Sequence, residues 1–166
     1  MRRPITWLAA WVLPVLVAVA HAGEVALDKV PKPVLETVKA RFTDVEVTSA
    51  GKEKAEDGKE IYEIGMEDKD QNHIDVTLTP EGAMVLIEQQ IDRKDLPGPI
   101  AKTLEGKYPK ARYRIVERII QVVEKEEKLK SYEVLLVTPK KQIRAVELAP
   151  DGKILKEEKK AAETED

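Results

Sequence analysis

Apolar residues along the chain follow two spacings, one helical and one extended. Val34, Val38 and Phe42 recur every fourth residue, as do Ile100, Leu104 and Tyr108, so each set makes one apolar stripe on a helix. Pro31 and Pro33 open the first helix and Pro97 and Pro99 the second, since a missing N–H costs nothing in a first turn. Pro109 stops the second helix. Elsewhere the period is two. Val45 and Val47 alternate with polar neighbours, Tyr62, Ile64 and Met66 share one parity, and so do Ile74, Val76 and Leu78. These predict strands with one buried face, with a further strand near 84–91. Later strands are predicted at 113–123, 131–138, 143–148 and 153–156, with the charged stretch 125–130 as a hairpin loop. Residues 113–124 suit a helix by composition, but their Ile and Val content favours a strand.

The two halves of this pattern correspond. Val30-Pro31-Lys32-Pro33-Val34 recurs as Leu96-Pro97-Gly98-Pro99-Ile100, and Arg41-Phe42 as Lys107-Tyr108. Tyr62-Glu63 recurs as Tyr132-Glu133, and Val76, Leu78, Pro80 and Gly82 as Val146, Leu148, Pro150 and Gly152. The spacing lengthens by four residues between Tyr108 and Tyr132. A fixed internal period marks a repeated structural unit. The expected architecture is α+β: two tandem units, each one helix packed on a four-stranded antiparallel sheet, spanning 23–94 and 95–157. Units this small are marginal alone, so the two are expected to pack together or share a sheet.

Residues 1–22 read as a secretory signal peptide. Arg2 and Arg3 precede an apolar run interrupted by Pro14, and Ala20-His21-Ala22 is an A-x-A cleavage site. The expected location is secreted or periplasmic after cleavage, with no membrane attachment; retention as an anchor is the alternative. At the other end, 158–166 forms a charged tail expected to be disordered.

Composition then narrows the chemistry. The chain carries 28 Lys and Arg against 31 Asp and Glu, and no Cys. Loss of the signal removes both Trp and His21, leaving His73 as the sole histidine, and Ser49 and Ser131 as the sole serines. Cys-based nucleophiles and disulfides are excluded, and one His is too few for a typical zinc site. The acidic balance and scarce aromatics weigh against nucleic acid. No cofactor, metal or catalytic residue is expected, and a hydrolase is left only carboxylate chemistry.

Val30-Pro31 at a helix start, Lys39-Ala40-Arg41-Phe42 at its end, Tyr62-Glu63, and Ile74-Asp75-Val76-Thr77-Leu78-Thr79-Pro80-Glu81-Gly82 together resemble the PepSY-like family, also described as β-lactamase-inhibitor-like. The second copy matches at Leu96-Pro97, Lys107-Tyr108-Pro109, Tyr132-Glu133 and Val146 to Gly152. The resemblance implies a secreted or periplasmic protein with a binding or inhibitory role and no catalysis, its partner a protein or enzyme of the cell envelope.

Several residues are candidates for that role. Asp68, Asp70 and Asn72 have the alternate oxygen spacing that opens a calcium loop. The match fails at His73, where glycine belongs, and at Thr79, where a bidentate glutamate belongs. The loop is thus a solvated turn, an acidic partner-binding loop, or a calcium or small-ligand site. Tyr62 and Tyr132 stand at equivalent places, as recognition anchors or as core side chains. Glu63 and Glu133 are a possible carboxylate pair, or solvated charges. His73 is a possible pH sensor. Arg112, Arg114 and Arg118 suggest a basic stripe or cross-strand ion pairs. The expected function is a non-enzymatic protein-binding or inhibitor-like module presenting an apolar or aromatic sheet face, with a calcium or small-ligand binder at 67–73 as the alternative.

Overall fold

The structure, a computed structural model, describes residues 23–55 and 57–160. The proposed signal and the last six residues of the tail lie outside the described residues. The strands are β1 (Gly23–Glu24), β2 (Val45–Lys54), β3 (Glu60–Asp68), β4 (His73–Leu78), β5 (Met84–Gln90), β6 (Arg112–Val123), β7 (Glu126–Val137), β8 (Ile143–Leu148) and β9 (Ile154–Lys160). Helix α1 (Lys32–Arg41) joins β1 to β2 and α2 (Gly98–Lys107) joins β5 to β6.

All nine strands form one sheet in chain order, with every neighbouring pair antiparallel. This overturns the expected two units with a four-stranded sheet each. The pairing of β5 with β6, from Leu86 opposite Gln121 to Gln90 opposite Glu117, makes the ladder continuous through the middle. The physical reason is the edge. Two separate sheets would leave the β5 and β6 backbones unpaired, and joining them satisfies both rows of N–H and C=O groups.

Both helices lie on one face of this sheet. Each has only ten residues, too short to persist alone, so its helicity depends on what it buries. Val34 and Val38 of α1 are at most 1 % exposed and join Ile64, Met66, Val76 and Leu78. Ile100 and Leu104 of α2 join Val134, Leu136, Val146 and Leu148 in a second cluster. The register carries the period-two alternation across the joining ladder, so both clusters fall on the same side.

The long β6–β7 hairpin differs from expectation. Residues 125–130 are not a loop: the strands pair as far as Val123 opposite Glu126. A two-residue turn at Glu124 and Lys125 closes them, both with positive φ, 52° and 70°. Ile120 and Val122 near its tip pack against the α1 cluster, and Glu127 pairs with Arg41 at the end of α1, Nη2 to Oε1 at 3.0 Å. Chain from the second half therefore seals the first core. A turn of this kind favours Asn-Gly. The double variant Glu124→Asn/Lys125→Gly is expected to gain about 1 kcal/mol, read as a raised urea midpoint with unchanged slope. Strand β9 also continues to Lys160, so the tail is ordered three residues past the expected boundary at 157, where pairing with β8 extends to Ile143 opposite Lys160.

Candidate functional site

The acidic loop of β3 and β4 closes on itself. Asp68 Oδ1 accepts from the backbone N–H of Asp70 at 2.8 Å and of Asn72 at 2.9 Å, and the Asn72 amide donates to Oδ2 at 3.0 Å. Gln71 supplies the left-handed position, φ 63°. Hydrogen bonding from Asn72 pulls the Asp68 carboxyl below its usual range. The side chain fixes a tight turn, as Asp does where the chain reverses, while Asp70 stands in solvent. Among the described residues, no group of three or more His, Asp or Glu is arranged to hold a metal ion.

Tyr62 and Tyr132 are core side chains. They are 6 % and 8 % exposed, on the helix side, and belong to the two cores. Their parity with Ile64 and Val134 puts them there. Phe42, Tyr108 and Tyr113 also pack on these clusters, so every aromatic side chain among the described residues serves the helix side. The basic stripe considered as one alternative is broken as well. A bulge between Tyr113 and Ile115 in the β6–β7 ladder shifts the alternation. Arg112 and Arg118 consequently fall on opposite faces, and Arg118 donates to the Gln89 amide oxygen from both Nε and Nη2.

The face without helices holds the more informative arrangement. Six consecutive strands each place one carboxylate on it: Glu63 on β3, Asp75 on β4, Glu88 on β5, Glu117 on β6, Glu133 on β7 and Glu147 on β8. Asp75 stands opposite Glu88. Glu117 stands opposite Glu133, and Glu133 opposite Glu147. Directly opposed side chains have Cβ atoms about 5 Å apart; Glu63, opposite Thr77, and Glu88, opposite Ile119, instead neighbour Asp75 and Glu117 diagonally, so the carboxyl groups form one staggered row across the sheet. Lys156 of β9, opposite Glu147, ends it. Glu63 and Glu133, considered above as a catalytic pair, share this face. Four strand spacings separate them, roughly 19 Å, too far to act on one bond.

The line is half-buried though no helix covers it. Leu86, Ile119 and Ala145 on the same face are at most 7 % exposed and Ser131 is fully buried. Ser131 donates its hydroxyl to Glu147 Oε1 at 2.7 Å. His73 Nε2 lies 3.0 Å from Asp75 Oδ2. Burial strips water from Glu63, Asp75, Glu88, Glu117 and Glu133, and their protons are held accordingly. Burial, reinforced by Glu117, Asp75, Glu133 and Glu63, pushes Glu88 up to about 8. Burial, then Glu133 and Asp75, pushes Glu117 up to about 7, against an opposing pull from His73. Burial raises Glu63, Asp75 and Glu133 as well. Near neutral pH Glu88 and Glu117 therefore titrate, each coupled to its acidic neighbours.

Sequence reasoning noted Glu63 and Glu133 but did not single out Asp75, Glu88, Glu117 and Glu147. A signal existed. Each acid sits beside core residues of opposite parity, as in Ile74-Asp75-Val76, Val116-Glu117 and Val146-Glu147-Leu148. That these acids line up depends on strand order, which no local pattern carries.

No protein-family model matches the sequence, and no curated protein is significantly similar to it. Solved structures do share the fold. A candidate periplasmic protein of Bacteroides eggerthii aligns with a TM-score of 0.60 at 12 % identity, over 78 % of this chain and 88 % of that one. A DUF2874 family protein of Bacteroides uniformis aligns with a TM-score of 0.59 at 11 % identity, over 78 % of this chain and 88 % of the other. A BLIP-like protein of Bacteroides fragilis aligns with a TM-score of 0.54 at 12 % identity, over 81 % and 88 %. Among the described residues, no helix is long and apolar enough to cross a membrane. Helices on one side of a long antiparallel meander, with a carboxylate-lined face on the other, are thus this chain's version of the fold of BLIP-like and DUF2874 proteins.

Proposed function

We propose that the protein is a non-enzymatic periplasmic binding module whose uncovered sheet face receives a basic surface of a cell-envelope protein. The carrying observation is the line of six carboxylates on six adjacent strands, on the one face that neither helix covers. Side chains that repel one another and lose hydration are costly to keep in a sheet. A Lys- or Arg-bearing partner relieves that cost by supplying the missing counter-charge. The signal-like residues 1–22 and the likeness to a candidate periplasmic protein support the compartment. The PepSY-like resemblance and the likeness to a BLIP-like protein support a binding or inhibitor-like role. The correspondence between the two sequence halves is read as an internal duplication. Gly82 beneath Pro33 and Gly152 beneath Pro99, in the same geometry, support that reading.

The direct probe is an oligolysine peptide titrated into the protein at low salt and followed by calorimetry. Replacing Glu63, Glu88, Glu117 and Glu133 by Gln is expected to weaken binding at least tenfold. Replacing the helix-side acids Glu36 and Glu105 by Gln is expected to change it less than twofold. Equal losses from both sets contradict the proposal.

A further inference from the structure

A second place in the fold has the opposite chemistry. Between the end of α2 and the β7–β8 turn lies a cleft of about 280 Å³. Lys107, Tyr108, Thr138, Lys140, Gln142 and Arg144 line it, contributing three cations. Glu157 holds two of them, at 2.5 Å from Lys107 Nζ and 3.7 Å from Arg144 Nη1.

The hydrogen-bond inventory is unbalanced in the same direction. Arg144 Nη2 donates to Gln142 Oε1 at 3.1 Å, which occupies that acceptor. Thr138 Oγ1 already accepts from the backbone N–H of Gln142. One buried polar atom then has no partner, Arg144 Nε, while the Tyr108 hydroxyl faces the Glu157 carboxylate. An unpartnered buried donor costs about 1–3 kcal/mol, and each such group calls for an explanation. Excess positive charge and an unmatched guanidinium donor at one cleft are explained together by one kind of occupant: a compact anion with several acceptor oxygens. The space suits it, being several times the roughly 30 Å³ of a water molecule.

We propose that this cleft binds a phosphate group, recognised by Lys107, Lys140 and Arg144, with Glu157 as the internal group it displaces. The group belongs either to free inorganic phosphate or to a phospholipid head. The site is separate from the carboxylate stripe and does not depend on the role proposed for it.

The test uses the intact secreted chain. Inorganic phosphate is titrated against amide chemical shifts at constant ionic strength, with chloride as the control. A parallel arm uses vesicles of phosphatidylglycerol diluted in phosphatidylcholine. The proposal expects saturable shifts at Lys107, Lys140 and Arg144 that chloride does not produce. Lys140→Ala, on an exposed turn, should weaken binding at least fivefold. Glu157→Gln, which frees two cations, should strengthen it at least threefold, a gain that a damaged fold cannot imitate. Binding in the vesicle arm that Lys140→Ala abolishes identifies a lipid head; phosphate binding without vesicle binding identifies a free phosphate. Linear, unsaturated shifts with no vesicle binding overturn the proposal, as does phosphate binding that neither variant alters.

Discussion

Gly82→Ala should destabilise the protein by about 3 kcal/mol or more, among the largest effects of any single methyl group added to this chain. Gly82 sits in the turn between β4 and β5 with φ of +82°, and a Cβ there would stand 2.6 Å from the Pro33 carbonyl oxygen and 2.8 Å from its carbon. Two costs combine. The left-handed conformation disfavours any L side chain by about 1–2 kcal/mol, and overpacking against backbone adds about 1–3 kcal/mol. The Thr37 hydroxyl, which donates to the Gly82 carbonyl at 2.9 Å, pins the turn to α1. The helix therefore has no cheap way to retreat. The control is Gly106→Ala in α2, where nothing lies within 4 Å of the added carbon. It should stabilise by about 0.5–1 kcal/mol, the ordinary helix preference of Ala over Gly. Urea unfolding of both variants gives two shifts of opposite sign. A mild Gly82→Ala effect would mean that α1 is not seated on the turn.

The second large effect is on pH dependence. Glu88 moves from 4.5 to about 8 on folding, and Glu117 from 4.5 to about 7. The native state thus binds more protons than the unfolded chain between those limits, so stability falls as pH rises. The contribution is fully present below pH 4.5 and is lost as pH climbs through 7 and 8. At about 1.4 kcal/mol per pH unit, and with the members sharing their charge, the loss between pH 5 and pH 9 should be about 3 kcal/mol or more. Glu88→Gln replaces the central carboxyl by a neutral group of the same shape. It should leave stability at pH 5 nearly unchanged and raise it by about 2 kcal/mol at pH 9. Unfolding midpoints that are flat from pH 5 to pH 9, or a Glu88→Gln gain independent of pH, would contradict the placement of these groups in a half-buried line.

These expectations differ in how much of them the sequence carries. The helices were legible because Val34 and Val38, and Ile100 and Leu104, repeat at helical spacing after a proline start, and that signal is local. The strands were legible for the same reason, since Ile64 and Val76 alternate with polar neighbours. The joining of β5 to β6 was not, because nothing in Leu86 or Gln121 names its partner; edge pairing is a property of the assembled sheet. Strand order then decides the site. Tyr62 and Tyr132 drew attention as aromatics, yet their own parity sends them to the core. Asp68 drew attention for its spacing, yet its oxygens are occupied by the turn it closes. Glu63 and Glu133 looked like ordinary solvated acids until three intervening strands supplied Asp75, Glu88 and Glu117 between them. Bulges hide further information, since the one at Arg114 reverses which face a residue occupies.

The central claim is that the uncovered, carboxylate-lined side of the sheet is where the partner sits. Carbodiimide joins a carboxyl directly to a lysine amine in contact with it, so it reports which acids of this chain touch a partner's lysines. Applied to the protein in its native envelope fraction and read by peptide mass spectrometry, it should give cross-links from Glu63, Asp75, Glu88, Glu117, Glu133 or Glu147. Cross-links confined to Glu36, Glu105 and other acids on the helix side would place the partner on the opposite face and contradict the account.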